Sequence, residues 1–347
     1  MTAWESNVRK VVPYVPGEQP KEKNIIKLNT NENPYPPAPG VFTKKMDMDN
    51  LRLYPDPAAT ALVDAIAQYH GVDKEQVFVG VGSDDVLAMA FMTFFNSDKP
   101  ILFPDITYSF YDVWADMLKI PYERVAVDDK FRLKASDYFG GNGGVIFPNP
   151  NAPTGIAEPL SFVSDILEHN RDVVVIVDEA YVDFGGETAL PLLDKYDNLL
   201  VVRTFSKSRS MAGLRIGYAI GNKTLIKYMN DVKYSYNSYT MNMPSIILGA
   251  ESIADEAYFR ETVDKVVETR EWFKSEIEKI GFTCPPSSAN FLFITHKTIP
   301  AREIFEKARA NKIIVRYFDK PRIDNYLRVT IGTREDMEIF LKFLQTL

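Results

Sequence analysis

The sequence predicts an α/β protein: a large unit built on a doubly wound, mainly parallel sheet, with a smaller α+β unit beside it. Three observations carry this expectation. From Thr60 onward, short apolar runs bounded by turn residues alternate with helical patterns. Near Ala254 the pattern changes to a long, charge-laced helix followed by isolated short strands. Residues 1 to about 40 follow neither rule and are rich in proline and asparagine. The expected division is an N-terminal arm (1–40) associated with a small C-terminal unit (254–347), with a large unit (41–253) between them.

In the arm, Pro13, Pro16, Pro20 and the run Asn29-Thr30-Asn31-Glu32-Asn33-Pro34-Tyr35-Pro36-Pro37 exclude a long helix. Each proline removes a donor and restricts the residue before it. Composition alone leaves a disordered tail open, but Ile25-Ile26-Lys27-Leu28 and several aromatics point to an arm packed on something. Ala61 to Ala67 reads as a helix, Gln76 to Gly82 as a strand and turn, and Asp84 to Phe95 as an apolar helix. Ile101–Pro104, Gly144–Phe147, Val173–Val177, Leu199–Arg203 and Ile216–Ile220 read as strands buried on both faces. In the small unit a helix is expected through Tyr258 to Ile280 and another near Ala301 to Asn311, with a third closing the chain. Strands are expected at Phe291–Ile294, Lys312–Val315 and Leu327–Ile331. Such an alternation places ligands at the carboxyl ends of the parallel strands.

The chain of 347 residues, 46% apolar and 25% charged, is long enough for a large core. Its formal charge of −7 argues against nucleic acid or an anionic membrane as partner, so any positive site must be local. No apolar run approaches membrane-spanning length, and the first residues lack a charged-then-apolar leader pattern. The one cysteine, Cys284, cannot form an internal disulfide, which suits a reducing cytosol and a cytoplasmic location. His70, His169 and His296 lack the paired spacing of a zinc site.

The chemistry concentrates in Ser206-Lys207-Ser208-Arg209-Ser210-Met211-Ala212-Gly213-Leu214-Arg215. A lysine eight residues before an arginine, with small residues between, can present an amine and a guanidinium to opposite ends of one small anionic cofactor. Upstream, the run Val173 to Val177 ends in Asp178, with Tyr181 three residues on. A carboxylate at the tip of a buried strand is costly unless paired. It either caps the following segment or meets a cation. An amine for an aldehyde, an acid for a pyridine nitrogen, a tyrosine and a phosphate-binding arginine together are what pyridoxal 5'-phosphate requires. For the phosphate, Gly80-Val81-Gly82-Ser83-Asp84 offers a glycine turn opening a helix, whose N–H groups bind anions. The third glycine of a dinucleotide fingerprint is missing, which weakens a nicotinamide reading.

These motifs resemble the fold type I pyridoxal-phosphate aminotransferases, and among them the histidinol-phosphate aminotransferase family. The likeness runs from Pro13-Tyr14-Val15-Pro16-Gly17 through Asn31-Glu32-Asn33-Pro34 and Tyr54-Pro55-Asp56-Pro57 to Leu327-Arg328-Val329-Thr330-Ile331-Gly332. The resemblance implies ping-pong transamination between glutamate and imidazole-acetol phosphate, with pyridoxal phosphate as cofactor. It implies that Lys207 joins the cofactor's aldehyde and serves as the base, that Asp178 pairs with the pyridine nitrogen and that Tyr181 pairs with the phenolic oxygen. Gly82, Ser83, Asp84, Ser206 and Arg215 would form the phosphate cup, and Tyr108 would stack on the ring. Tyr54 would reach the cofactor of a partner subunit, which implies a homodimer with shared sites. Arg328 would take the substrate's anion, with Arg316, Tyr14, Asn33 and Tyr236 about the same pocket.

The chain departs from the family at the residue before Pro153-Thr154-Gly155. The family's Asn there, whose amide meets the phenolic oxygen, is replaced by Ala152, and Asn151 is the candidate to take over. Two other activities stay open on the residues alone, threonine-phosphate decarboxylation and aromatic aminotransfer, while the acidic balance argues against a catalytically idle cofactor-binding module of a DNA-binding regulator.

Overall fold

The structure, a computed structural model, describes residues 3–347. Two sheets organise them. The larger holds β2 (Val77–Val81), β3 (Ile101–Pro104), β4 (Tyr122–Val125), β5 (Gly144–Pro148), β6 (Val175–Asp178), β7 (Leu199–Thr204) and β8 (Ile216–Gly221). Their order is β2-β8-β7-β6-β5-β3-β4. β3, β4, β5, β6 and β7 are mutually parallel, while β8 runs antiparallel to both β7 and β2.

Apolar residues at every position of the central strands are what a sheet covered on both faces needs. Ile146, Ile176, Leu200 and Val202 point to one side, where α3 (Ser83–Phe94), α4 (Tyr111–Leu118) and α6 (Lys223–Tyr236) cover them. Val145, Phe147, Val175, Val177, Leu199 and Val201 point to the other, under α5 (Leu160–Glu168). At the β2 edge, α2 (Thr60–His70) and α7 (Met243–Ala254) close over Val77, Val79, Ile216 and Tyr218. Val175, Ile176 and Val177 are fully buried, each contributing about 1.5–3 kcal/mol by area.

Two local expectations change. β6 begins at Val175 rather than Val173, and it includes Asp178. β4, unannounced by its polar Glu123 and Arg124, forms the edge beside β3. Exposed charges on an edge strand blunt it against further pairing.

The second sheet has the order β1-β11-β12-β10-β9, from Ile26–Leu28, Ile313–Tyr317, Leu327–Thr330, Phe291–His296 and Phe282–Thr283 respectively. β1 lies parallel to β11, with Ile26 opposite Ile313. The arm is therefore an edge strand of this sheet, with α1 (Pro39–Thr43) following. α8 (Glu256–Lys279), α9 (Ala301–Ala310) and α10 (Arg334–Leu344) pack Val266, Phe273, Ile304 and Phe340 into one core with Phe291 and Val329.

The topology fixes where chemistry gathers. Pro104, Pro148, Asp178 and Thr204 end parallel strands at one edge. Because β8 is reversed, its first residue meets that edge too, with Thr204 opposite Gly217. The segment 205–215 thus leaves and re-enters the sheet at the same end.

Candidate active site

A cavity of about 390 Å³ opens at this edge. Ser83, Asp84, Tyr108, Asp178, Tyr181, Ser206, Lys207 and Arg215 line it, so eight residues picked from the sequence share one space. Thr30, Gln19 and Glu32 of the arm complete its wall.

Asp178 ends β6 and is buried. Its Oδ2 accepts a hydrogen bond from the Tyr111 hydroxyl at 2.9 Å, and its Oδ1 accepts from the Ala180 N–H at 3.1 Å. Burial still dominates, and the carboxyl is pushed up to about 6. A group in that state favours any cation brought to it. Lys207 follows β7, and its Nζ reaches the carbonyl oxygen of Thr30 at 3.4 Å and lies 5.6 Å from the Tyr181 ring centre.

At the opposite end, Gly82 precedes α3 with φ of 84°, where a side chain would strike the Arg215 guanidinium. Gly217 faces the Gly82–Ser83 backbone so closely that an added Cβ would collide with it. The helix start, two serines and Arg215 therefore close on each other because two glycines permit it. Arg215 donates to Ser206 Oγ at 3.3 Å and to Asp84 Oδ2 at 3.2 Å. Tyr108 donates to the other Asp84 oxygen at 2.8 Å. Burial, reinforced by the Asp84 charge, keeps the Tyr108 phenol protonated. Asp85 turns away, accepting from the Val81 N–H at 2.8 Å.

An amine, a carboxylate that invites a positive partner, and a cup of N–H, hydroxyl and guanidinium donors fit the three polar ends of pyridoxal 5'-phosphate. The cavity between them is of small-cofactor size.

A second chamber adjoins the first and shares Thr30, Tyr108, Ala152, Tyr181 and Lys207 with it. Tyr14, Arg316 and Arg328 line its far side. The two arginines sit opposite each other on β11 and β12. Arg328 donates to the Asn29 carbonyl at 3.0 Å, but its buried Nε has no partner. Its guanidinium lies 5.4 Å from the Phe291 ring centre and 5.7 Å from that of Phe318, and burial weakens its hold on its proton. Tyr14 stacks on Phe110 at 4.4 Å, and burial raises its phenol.

Four expected residues lie elsewhere. Asn151 does not line the cavity: its amide donates to the Ile106 carbonyl at 2.9 Å and accepts from Thr107 at 3.1 Å. Ala152 takes the lining position, so no side-chain amide from this segment faces the cavity. Asn33 stands behind the site, donating to the carbonyl oxygens of Lys207 and Ser208 at 3.1 and 3.3 Å. Tyr236 is 71% exposed at the end of α6 and reaches neither chamber. Tyr54, 81% exposed, stacks on Tyr239 at 4.7 Å outside the cavity of its own chain.

Two site residues escaped the sequence reading. Tyr111 holds Asp178, and Asn31 donates to the Tyr181 hydroxyl at 2.9 Å. Asn31 stands in the Asn-Glu-Asn-Pro run already noted there, where Asn33 drew the assignment. Tyr111 carried no local signal.

The sequence profile of the family "Aminotransferase class I and II" matches residues 23–344. The chain is 51% identical over 340 residues to a histidinol-phosphate aminotransferase of Clostridium botulinum, covering 97% of this chain and 96% of that one. It is 48% identical over 345 residues to one of Lactococcus lactis, covering 99% and 96%. The crystal structure of the Sinorhizobium meliloti histidinol-phosphate aminotransferase, in complex with pyridoxal-5'-phosphate, has the same fold. Its TM-score is 0.83 at 20% identity, over 92% of this chain and 91% of that one. The cavity's donor set and these likenesses agree: the chain belongs to the class I and II aminotransferases, pyridoxal-phosphate enzymes, and within them to the histidinol-phosphate aminotransferase family.

Proposed function

We propose that this chain moves an amino group between glutamate and imidazole-acetol phosphate, yielding L-histidinol phosphate, by alternate use of one cavity. The observation that carries the reading is Arg328, which lines a chamber continuous with Lys207 and whose buried Nε has no partner. A guanidinium fork suits a carboxylate and a phosphate alike, so one arginine can serve both amino donors.

Bound pyridoxal phosphate supplies an aldehyde and an electron-withdrawing ring. Around it Asp178, held by Tyr111, would keep the pyridine nitrogen protonated. Ser83, Ser206, Arg215 and the first N–H groups of α3 would hold the phosphate, with Gly82 allowing the close approach. Tyr181 would donate to the phenolic oxygen, and Tyr108 would cover one ring face. Lys207 Nζ would accept the proton leaving the substrate's α-carbon. Tyr14, stacked on Phe110, walls the substrate chamber against water, with Arg316 adding positive charge.

We further infer a homodimer with shared sites. Phe42, Leu51, Leu53, Tyr54, Tyr236 and Tyr239 are exposed apolar groups that a second copy would cover. Tyr54, exposed beside Tyr239, would enter a second copy's cavity, and the arm (1–40), large unit (41–253) and small unit (254–347) are our division of each subunit. Among the described residues no helix is long and apolar enough to cross a membrane.

The test is spectroscopic. The reconstituted protein should show a visible cofactor band that L-histidinol phosphate and glutamate each bleach, glutamate yielding 2-oxoglutarate. Lys207→Ala should bind cofactor without turnover. A band that ignores histidinol phosphate, or carbon dioxide released from a phospho-amino acid, would refute the assignment.

A further inference from the structure

Asn31 is 1% exposed and holds φ of 55°, a left-handed conformation that non-glycine residues adopt at a cost and asparagine tolerates best. Every polar group it has is engaged. Its N–H donates to Thr330 Oγ1 at 3.0 Å, its Oδ1 accepts from the same hydroxyl at 3.0 Å, and its carbonyl accepts from Asn290 Nδ2 at 3.0 Å. Held on that side, the amide has one direction left for its Nδ2, which donates to the Tyr181 hydroxyl oxygen at 2.9 Å. A phenol has one hydrogen. With its oxygen already accepting from Asn31, Tyr181 must aim that hydrogen elsewhere, and its other neighbour is the cavity. A donor on the phenol oxygen also polarises the O–H bond and strengthens its donation.

Resting on the cofactor reading above, we infer that Asn31 is a positioning residue: it directs and strengthens the Tyr181 O–H toward the cofactor's phenolic oxygen. The chain has particular need of it. Ala152 lines the cavity without a donor, and the Asn151 amide is engaged by Ile106 and Thr107 of the loop after β3, so Tyr181 must serve that oxygen without help from this segment. Thr330 lies two residues beyond Arg328 on β12, on the same face of the strand. The anchor of Asn31 and the arginine facing the substrate chamber therefore belong to one rigid element.

The pH midpoint of the visible band of the loaded protein reads this effect apart from activity. A donor to the phenolic oxygen drains negative charge from it and lowers the proton affinity of the groups conjugated to it. Asn31→Gly keeps the left-handed backbone and removes the amide. Its midpoint should rise by roughly 0.5 pH unit, about a threefold change in proton affinity. Asn31→Asp replaces the donor by an acceptor and draws the Tyr181 hydrogen away from the cavity. It should shift the midpoint as far as Tyr181→Phe does. In the Tyr181→Phe background, Asn31→Gly should add nothing. A midpoint unmoved by either Asn31 variant while Tyr181→Phe moves it would overturn the role of Asn31 and leave the cofactor assignment intact. So would an equal Asn31→Gly shift with and without the tyrosine hydroxyl. No visible band in the wild type would sink the cofactor reading itself, and this inference with it.

Discussion

Asp178→Asn should make the cofactor-free protein more stable at neutral pH while impairing it as an enzyme. The folded Asp178 carboxyl titrates near 6, against an ordinary value of 3.8. Between those two pH values the folded chain keeps a proton that the unfolded chain has released. Stability from this group is therefore complete below about pH 4 and lost as pH rises through 6. Two pKa units correspond to about 3 kcal/mol. Asparagine of the same shape carries no charge, so the stability difference between variant and wild type should grow by about 3 kcal/mol from pH 4 to pH 8. All other titrations are common to both proteins and cancel. For a chain of this size that amounts to about 4 °C in melting temperature. The assay is thermal or urea unfolding of both cofactor-free proteins across pH. Tyr111→Phe, which removes the 2.9 Å hydrogen bond favouring the ionised form, should move the wild-type inflection to higher pH. A difference between Asp178→Asn and wild type that stays constant across pH would refute the reasoning. With cofactor bound the sign should reverse, because the carboxylate then has a cation to pair with.

Arg328→Ala should lower kcat/KM for glutamate and for histidinol phosphate together, each by about 10- to 100-fold, since a charged hydrogen bond contributes about 1.5–3 kcal/mol. Steady-state kinetics with each donor decide it, and loss confined to one donor would separate the two anion sites. Gly217→Ala should weaken cofactor binding and cost about 1–3 kcal/mol, because the new methyl displaces the Gly82–Ser83 backbone rather than a flexible side chain. Equilibrium binding of pyridoxal phosphate and a urea melt check both parts, and native-like affinity would refute it.

What the sequence made legible was local. Lys207, Asp178 and Arg215 could be picked out because each stands at the end of an apolar strand, Lys207 and Arg215 in a run of small residues and Asp178 closing a run of β-branched ones. The alternation of strands and helices placed those ends together. What stayed hidden depends on pairs far apart in the chain: Tyr111 meets Asp178 across 67 residues, and Asn31 meets Tyr181 across 150. Their types carry no special signal, since an ordinary core tyrosine and an ordinary loop asparagine look the same. The choice between Asn151 and Ala152 turned on which of two adjacent side chains faces inward, a matter of backbone path. Composition told nothing of Tyr236 either, whose exposure follows from where α6 stops.

The pairing of β1 with β11 has a consequence for the order in which the protein comes into being. Ile26 leaves the ribosome early and its partner Ile313 very late. Throughout almost the whole of synthesis the strand carrying Thr30, Asn31 and Asn33 into place has nothing to pair with. Lys207 and Asp178 can take their positions on the larger sheet first, but the carbonyl that meets the lysine and the amide that meets Tyr181 arrive only after the last strands are made. The cavity is finished from the front of the chain, and last.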